Sequence, residues 1–543
     1  MHHSSRKSTK LVPLLAASLL LGASGVALLQ HNRAGATGAD DIPLYRNYNF
    51  PTGENAQTFQ GPVPKAECGP GSQPESGQLD GEVTVADRES GRSAQGYRCN
   101  IEQVGHYGTK EGFEGAEWQL ARYKDSTGKQ CAYYSQREVN LGSSGKDTQV
   151  NPIVTKPGTI VLDVSDPAHP AFSENIDTPG MKDPWETLKV NQARGLLAAT
   201  DVMDGEGAFF MGIYDIKSDC AHPKKLFDGP ITAVNHEGNW AHDGMTYYTG
   251  GLTPGIVSAI DTSDPTNPHL LTTFFAKLGI HGMSTSLDGN RLFLSHINED
   301  WPYTIYGGSS GSLGSGNDGS NKSLAHGTGI GIYDISEIQS RKPNPQVKLV
   351  SALQWDDGQI GQHTLNFHRD GKSYAIEVSE AGLGAARIID VTDETKPTIV
   401  SKIKTQIMMP ENLPLSHSEI FRGAIERGGD LQFGYNFHYC NIDKEESPSL
   451  LACSAFEQGL RLFDIRDVSH PKEIAYFNGG GDGTRQPGGW GAVYSAYAAA
   501  MPQFDPVNQE IWYTDHDHGF YVVKPTNGTW ISDVTEQTVS HGN

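Results

Sequence analysis

Four histidines stand at comparable points of successive apolar segments: His242 in AHDG, His281 in IHGM, His363 in QHTL and His417 in SHSE. Neutral imidazoles brought together from separate segments ligate Zn, Cu or Fe, and carboxylates behind them fix ring orientation. A second set closes other apolar segments: His296 in LSHIN, Glu377 and Glu380 in IEVSE, His438 in NFHYC, and Asp515, His516 and His518 in TDHDH. Glu419 follows His417 closely. The pattern predicts one transition-metal ion on His242, His281, His363 and His417, with the second set behind it or in contact with a ligand. The competing reading is structural. A histidine opening an inner strand bonds the neighbouring unit's backbone, and duplication copies it.

Other chemistry is thinly signalled. Asp201, Asp204 and Glu206 in DVMDGEG lack EF-hand spacing and read as a solvated turn. Gly307-Gly308-Ser309-Ser310-Gly311 fits the letters of GxSxG, but inside a Gly/Ser-rich stretch and not at a strand-to-helix elbow. Trp301, Tyr303 and Tyr306 in that stretch read as loop anchors. No P-loop or dinucleotide fingerprint occurs, so no nucleotide cofactor is expected.

The elements that must position the histidines are strands. Gly (63) and Pro (30) fill about one position in six of 543, which favours short strands and tight turns. Six segments repeat one pattern, an apolar strand ending in Asp, a polar turn and a second strand. The aligned residues are Asp163, Asp215, Asp261, Asp334, Asp390 and Asp464, spaced 52, 46, 73, 56 and 74 apart. GFYVVKPTNGTWISDV, from Gly519, is a seventh copy without the Asp. The runs MTYYTGG, RLFLSHINED, SYAIEVSEAG and EIWYTDHDHG add a strand upstream. The unit is therefore four strands, a to d, and seven units make an all-β, seven-bladed β-propeller. CNIEQVGHYG, from Cys99, reads as a strand d that completes the last blade.

These segments resemble the LVIVD-repeat family, most closely in VLDVSDPAHP at Val161 and AIDTSDPTNP at Ala259. The resemblance spans residues 98–535, and the copies at Met211 and Gly519 depart from it. It implies the propeller fold, and a family known chiefly as exported or cell-surface bacterial and archaeal proteins. It implies no particular activity.

Strand order puts the b–c and d–a loops on one face and the SDPxxP turns on the other. Insertions at 299–328, 439–458 and 138–158 are expected as b–c loops on the first face, where binding residues of rigid scaffolds reside. Trp118, Trp185 and Ser495 stand in the remaining repeats near the histidine point.

Residues 1–36 read as an export signal, with Arg6, Lys7 and Lys10, an apolar run from Leu11 to Leu29, and Ala34-Gly35-Ala36. An uncleaved anchor is the alternative, and the only route to a membrane. Residues 37–97 form a Gly/Pro-rich arm, 98–535 the propeller and 536–543 a tail. The six cysteines suit an oxidising compartment. Cys440 and Cys453 are close enough to pin one loop, while Cys68, Cys99, Cys131 and Cys220 allow three pairings. A formal charge of −22 argues against nucleic acid. The expectation is an exported binding or scaffolding module for a small ligand or protein. The alternative is a metal-dependent oxidoreductase, and a carboxylate hydrolase using Glu377, Glu380 and Asp515 is weaker still.

Overall fold

A computed structural model describes residues 61–108, 118–136, 158–201, 209–232, 235–251, 255–276, 279–297, 328–355, 360–380, 386–409, 411–412, 434–480, 496–516 and 518–534. The leader, the tail, His417, Glu419, Ser495, Asp204, Glu206, the 299–327 insertion and most of 138–158 lie outside these residues. Among the described residues no helix is long and apolar enough to cross a membrane.

Seven antiparallel sheets form a ring, six of four strands and one of five. The chain is a seven-bladed β-propeller. Blades 1 to 6 run consecutively from strand a to strand d, beginning at Leu120–Lys124, Lys189–Asn191, Glu237–Trp240, Ile280–Thr285, Gly361–Arg369 and Cys440–Ile442. Blade 7 takes Gln503–Asp505, Glu510–Asp515 and Gly519–Pro525 from the C-terminal part and its outer strand, Ile101–Tyr107, from the N-terminal part. The ring is thus fastened by residues far apart in sequence, as the Cys99 segment predicted. Tyr97–Cys99 adds a fifth strand to blade 6.

The recurrent Asp does one local job six times. Its Oδ1 accepts the backbone N–H two residues on: Asp163 from Ser165 (2.9 Å), Asp215 from Lys217 (2.9 Å), Asp261 from Ser263 (2.8 Å), Asp334 from Ser336 (3.0 Å), Asp390 from Thr392 (3.0 Å) and Asp464 from Arg466 (3.0 Å). Each is an Asx turn leading strand c into strand d. Apolar residues of neighbouring blades then interdigitate. Leu188 and Val190 of blade 2 meet Tyr133 and Val161 of blade 1, and Trp512 and Val522 of blade 7 meet Ala132 and Leu162 of blade 1.

Three disulfides staple the fold: Cys68–Cys99, Cys131–Cys220 and Cys440–Cys453. The last corrects one expectation. Cys440 and Cys453 are cross-strand partners on strands a and b of blade 6, so the 439–458 segment is that hairpin and not a b–c loop.

The arm from Gly61 runs from the end of blade 5 onto blade 6. Val63 N–H donates to Lys404 O (2.9 Å), and Ala66 N–H to Glu473 Oε2 (3.2 Å). The fully buried Arg461 guanidinium meets Glu75, Asp80 (3.4 Å) and Glu473 (3.0 Å).

Candidate metal centre

The inner strands carry the site, and their irregularities aim it. Strand a of blade 4 breaks register between Ile280 and Met283, around His281, and that of blade 5 between Gly361 and His363, around Gln362. Such bulges redirect side chains. Gly282 allows the close approach of blades 4 and 5, since a Cβ there would lie 2.2 Å from Gln362 O. Ahead of blade 2, Trp185 adopts a left-handed φ of 46°, uncommon for a bulky residue, and Glu186 follows as a parallel bridge partner of Glu237 in blade 3.

At this end of the axis Glu186 (1% exposed) receives histidines from three blades. Its Oε2 lies 3.3 Å from His236 Nε2 and 3.2 Å from His281 Nε2, and the two imidazole nitrogens are 2.7 Å apart. Its Oε1 lies 3.2 Å from His438 Nε2 and accepts a hydrogen bond from Gln362 Nε2 (2.6 Å). Glu380 approaches from blade 5, with Oε2 3.1 Å from His438 Nε2 and Oε1 3.6 Å from His281 Nδ1. Beside them Lys189 Nζ pairs with Glu237 Oε1 (3.3 Å), and the Tyr439 hydroxyl donates to Glu237 Oε2.

Tautomers follow from the carbonyls. A carbonyl only accepts, so His281 Nδ1–H donates to Gly361 O (3.2 Å) and His438 Nδ1–H to Ala499 O (2.8 Å). Their Nε2 atoms are thereby left for the cluster. Burial would raise the Glu186 carboxyl, but His281, His438 and His236 outweigh it and hold it well below the usual carboxylate range. Burial pulls His438 down, yet its hydrogen bonds with Glu186 and Glu380 carry it up to about 9. His281 is likewise raised on balance, burial being outweighed by Glu186 and Glu380. His236 is pushed down to about 3 by burial and by His281. Burial raises Glu237 to about 7 in spite of Lys189.

Glu186, His236 and His281 offer ligand atoms that all lie within 4.8 Å of one another, a possible metal-binding triad. Two imidazoles and a carboxylate with an open position are a donor set that zinc and other first-row transition ions accept.

Of the four predicted ligands, His281 and His363 stand at this end of the axis. His363 is fully buried, its ring centroid 4.7 Å from that of Tyr439, with neither ring nitrogen hydrogen-bonded among the described residues. His242 is not in register with them. It lies beyond the far end of strand a of blade 3, with Nδ1 3.8 Å from Glu445 Oε1, beside a space of about 30 Å³. The equivalent residue is His236. The signal was present in the Asp-Gly turns joining strands a and b: His236, His281 and His363 each lie seven residues before Asp243, Asp288 and Asp370. Glu186 sits next to Trp185, the residue near the histidine point of this repeat, and nothing in the repeat marks it.

Of the second set, Glu380 and His438 join the cluster, although His438 precedes a strand a instead of ending a strand b. Glu377 pairs with buried Arg387 (3.5 Å) and accepts from Ser295 Oγ (3.1 Å), holding blades 4 and 5 together. His296 is buried beside Tyr333, and burial pushes it down to about 3. Asp515 accepts from Tyr497 N–H (2.7 Å) and His518 Nδ1 (2.7 Å). His516 packs on Trp118 with ring centroids 5.1 Å apart.

Comparison with known proteins adds a match to one repeat. Residues 154–178 match the model of the LVIVD repeat. The chain carries the LVIVD repeat on a seven-bladed propeller. None of the curated proteins matches it in sequence. Among solved structures, similar ones include hydrazine synthase of Kuenenia stuttgartiensis, at 10% identity, 78% of this chain, 98% of that chain and a TM-score of 0.46. Sqt1 of Chaetomium thermophilum matches at 12% identity, 81% of this chain, 88% of that chain and 0.40. A functionally unknown protein of Desulfotomaculum acetoxidans matches at 11% identity, 69%, 89% and 0.42. At these levels none lends its chemistry to this LVIVD-repeat propeller.

Proposed function

We propose that this LVIVD-repeat propeller is an exported metal-binding module, in which Glu186, His236 and His281 hold a transition-metal ion (Zn, Cu or Fe). A small ligand or protein partner then engages the same face. The observation that carries the reading is the approach of two imidazole Nε2 atoms and one carboxylate oxygen to within 3.3 Å of one another. An ion in that position supplies Lewis acidity or redox chemistry. The chain's own contribution is to fix the His281 tautomer through Gly361 O, and to keep Glu186 ionised beside its histidines. Three disulfides and the leader-like residues 1–36 support export.

Metal content by mass spectrometry, on tag-free protein recovered from the exported fraction, tests this. At least one equivalent of Zn, Cu or Fe is expected, falling to background in an E186Q/H236N/H281N variant of unchanged circular dichroism. Metal-free protein that also refuses added Zn²⁺ and Cu²⁺ overturns the reading. It would leave the propeller as a binding scaffold whose axial histidines are held by protons.

A further inference from the structure

We infer that the axial cluster takes a second metal ion, bridged to the first through Glu186, on Glu186 Oε1, Glu380 Oε2 and His438 Nε2. This rests on the metal reading above and extends it. Glu186 is the pivot, because its two oxygens serve different histidines. Oε2 faces His236 and His281, whereas Oε1 faces His438 at 3.2 Å.

Around the second position His438 Nε2 lies between two carboxylate oxygens. His438 Nδ1 is committed to Ala499 O, so the Nε2 atom is what meets the carboxylate oxygens of Glu186 (3.2 Å) and Glu380 (3.1 Å). Atoms sharing a tetrahedral ion at about 2.0–2.2 Å lie about 3.3–3.6 Å apart, within a few tenths of an ångström of these separations.

His363 is the independent observation. Its ring is 0% exposed and neither nitrogen has a hydrogen-bond partner among the described residues. Its electrostatic neighbours are Lys189, Glu186, His438 and His281. Buried imidazoles are normally hydrogen-bonded, and an orphaned one near these donors has a nitrogen free for a further ligand bond. The nearby Lys189 Nζ pairs with Glu237 Oε1 at 3.3 Å. Two divalent ions against those two carboxylates leave surplus positive charge. The loaded centre therefore also takes hydroxide or another small anion, the arrangement of carboxylate-bridged two-metal sites.

The test uses the full chain stripped with chelator. Zn²⁺ bound at saturation is counted after gel filtration, and Mn²⁺-loaded protein is examined by electron paramagnetic resonance. Two equivalents of Zn²⁺ are expected, with exchange-coupled Mn²⁺, and an H438N/E380Q variant should retain one equivalent and lose the coupling. Saturation at a single equivalent overturns the second position while leaving the triad intact. Two equivalents unaffected by H438N/E380Q, or two uncoupled Mn²⁺ ions in the unaltered protein, overturn it as well. The coupling measurement needs no variant, so it decides even if H438N/E380Q fails to fold. Failure to bind any ion overturns the triad too.

Discussion

The junction of the N-terminal arm with blade 6 makes a quantitative prediction about pH. One guanidinium, Arg461, faces three carboxylates, Glu75, Asp80 and Glu473, with both sides of every pair fully buried. Charge is not balanced there, so the cluster retains protons. Burial, reinforced by Asp80, pushes the Glu473 carboxyl from 4.5 up to about 8, and burial also raises Glu75. A carboxyl whose folded pKa exceeds its unfolded one stabilises fully below the unfolded value, and that contribution is lost as pH rises through the folded value. The junction is therefore firmest near pH 5 and weakens toward pH 9. Removing one partner of a buried pair costs about 3–5 kcal/mol, so R461M should lose about that much at pH 7, and less at pH 5 as the carboxylates take up protons. E473Q keeps an oxygen for Ala66 N–H and removes the titration. It should match the parent near pH 5 and exceed it at pH 9. Urea denaturation of the three proteins from pH 5 to 9 reads all of this. If E473Q and the parent differ by the same amount at both pH extremes, or R461M loses under about 1 kcal/mol at pH 7, the charge argument fails.

Two further outcomes follow from the staples and the closure. Chain entropy ranks the disulfides by loop length, so paired Cys→Ala changes should cost about 5 kcal/mol for Cys131–Cys220 (separation 89), about 4 for Cys68–Cys99 (31) and about 3 for Cys440–Cys453 (13). Denaturation midpoints giving the reverse order would refute it. Gly105 lies in the closing strand, where a Cβ would come 1.9 Å from Pro167 O in the first SDPxxP turn. G105V should cost about 2–3 kcal/mol by overpacking and speed amide exchange in Ile101–Tyr107; unchanged exchange there would refute that account.

The blades were legible in the sequence because their marker is local. An Asx turn is written in a few consecutive residues, and Asp163 to Asp464 all make it as read. The closing strand was legible for a related reason, since Ile101–Tyr107 is a strand d with no strand c before it. The site was only partly legible because strand starts are set by tertiary contacts. The register break at Gly361/His363 brings Gln362 as well as His363 into the cluster, and no pattern in QHTL reports a bulge. His242 looked equivalent to His281 in its flanking letters, yet counting back from Asp243-Gly244 selects His236. In blade 6 the a–b hairpin is enlarged around Asp443–Ser449, which moved strand a away from where repeat spacing put it and made His438 look like the end of a strand b.

The structural and chemical readings of the axial histidines turn out to concern different atoms of the same rings. A histidine kept only to tie one blade to the next needs a bond to the neighbour's backbone, and His281 Nδ1 makes it, to Gly361 at the head of blade 5. His438 Nδ1 does the same to Ala499, just before blade 7. Those bonds account for Nδ1 and leave Nε2 unexplained. In both residues it points to a carboxylate, Glu186 for His281 and Glu186 with Glu380 for His438, a partner that suits a proton on Nε2 and would equally suit a metal ion there. Duplication alone does not explain Glu186 either, since strand register puts a carboxylate in blade 2 where blades 3 and 4 have His236 and His281 and blade 5 has Gln362. A backbone bond that fixes the tautomer and presents Nε2 beside a carboxylate is the arrangement a metal ion requires of its ligands.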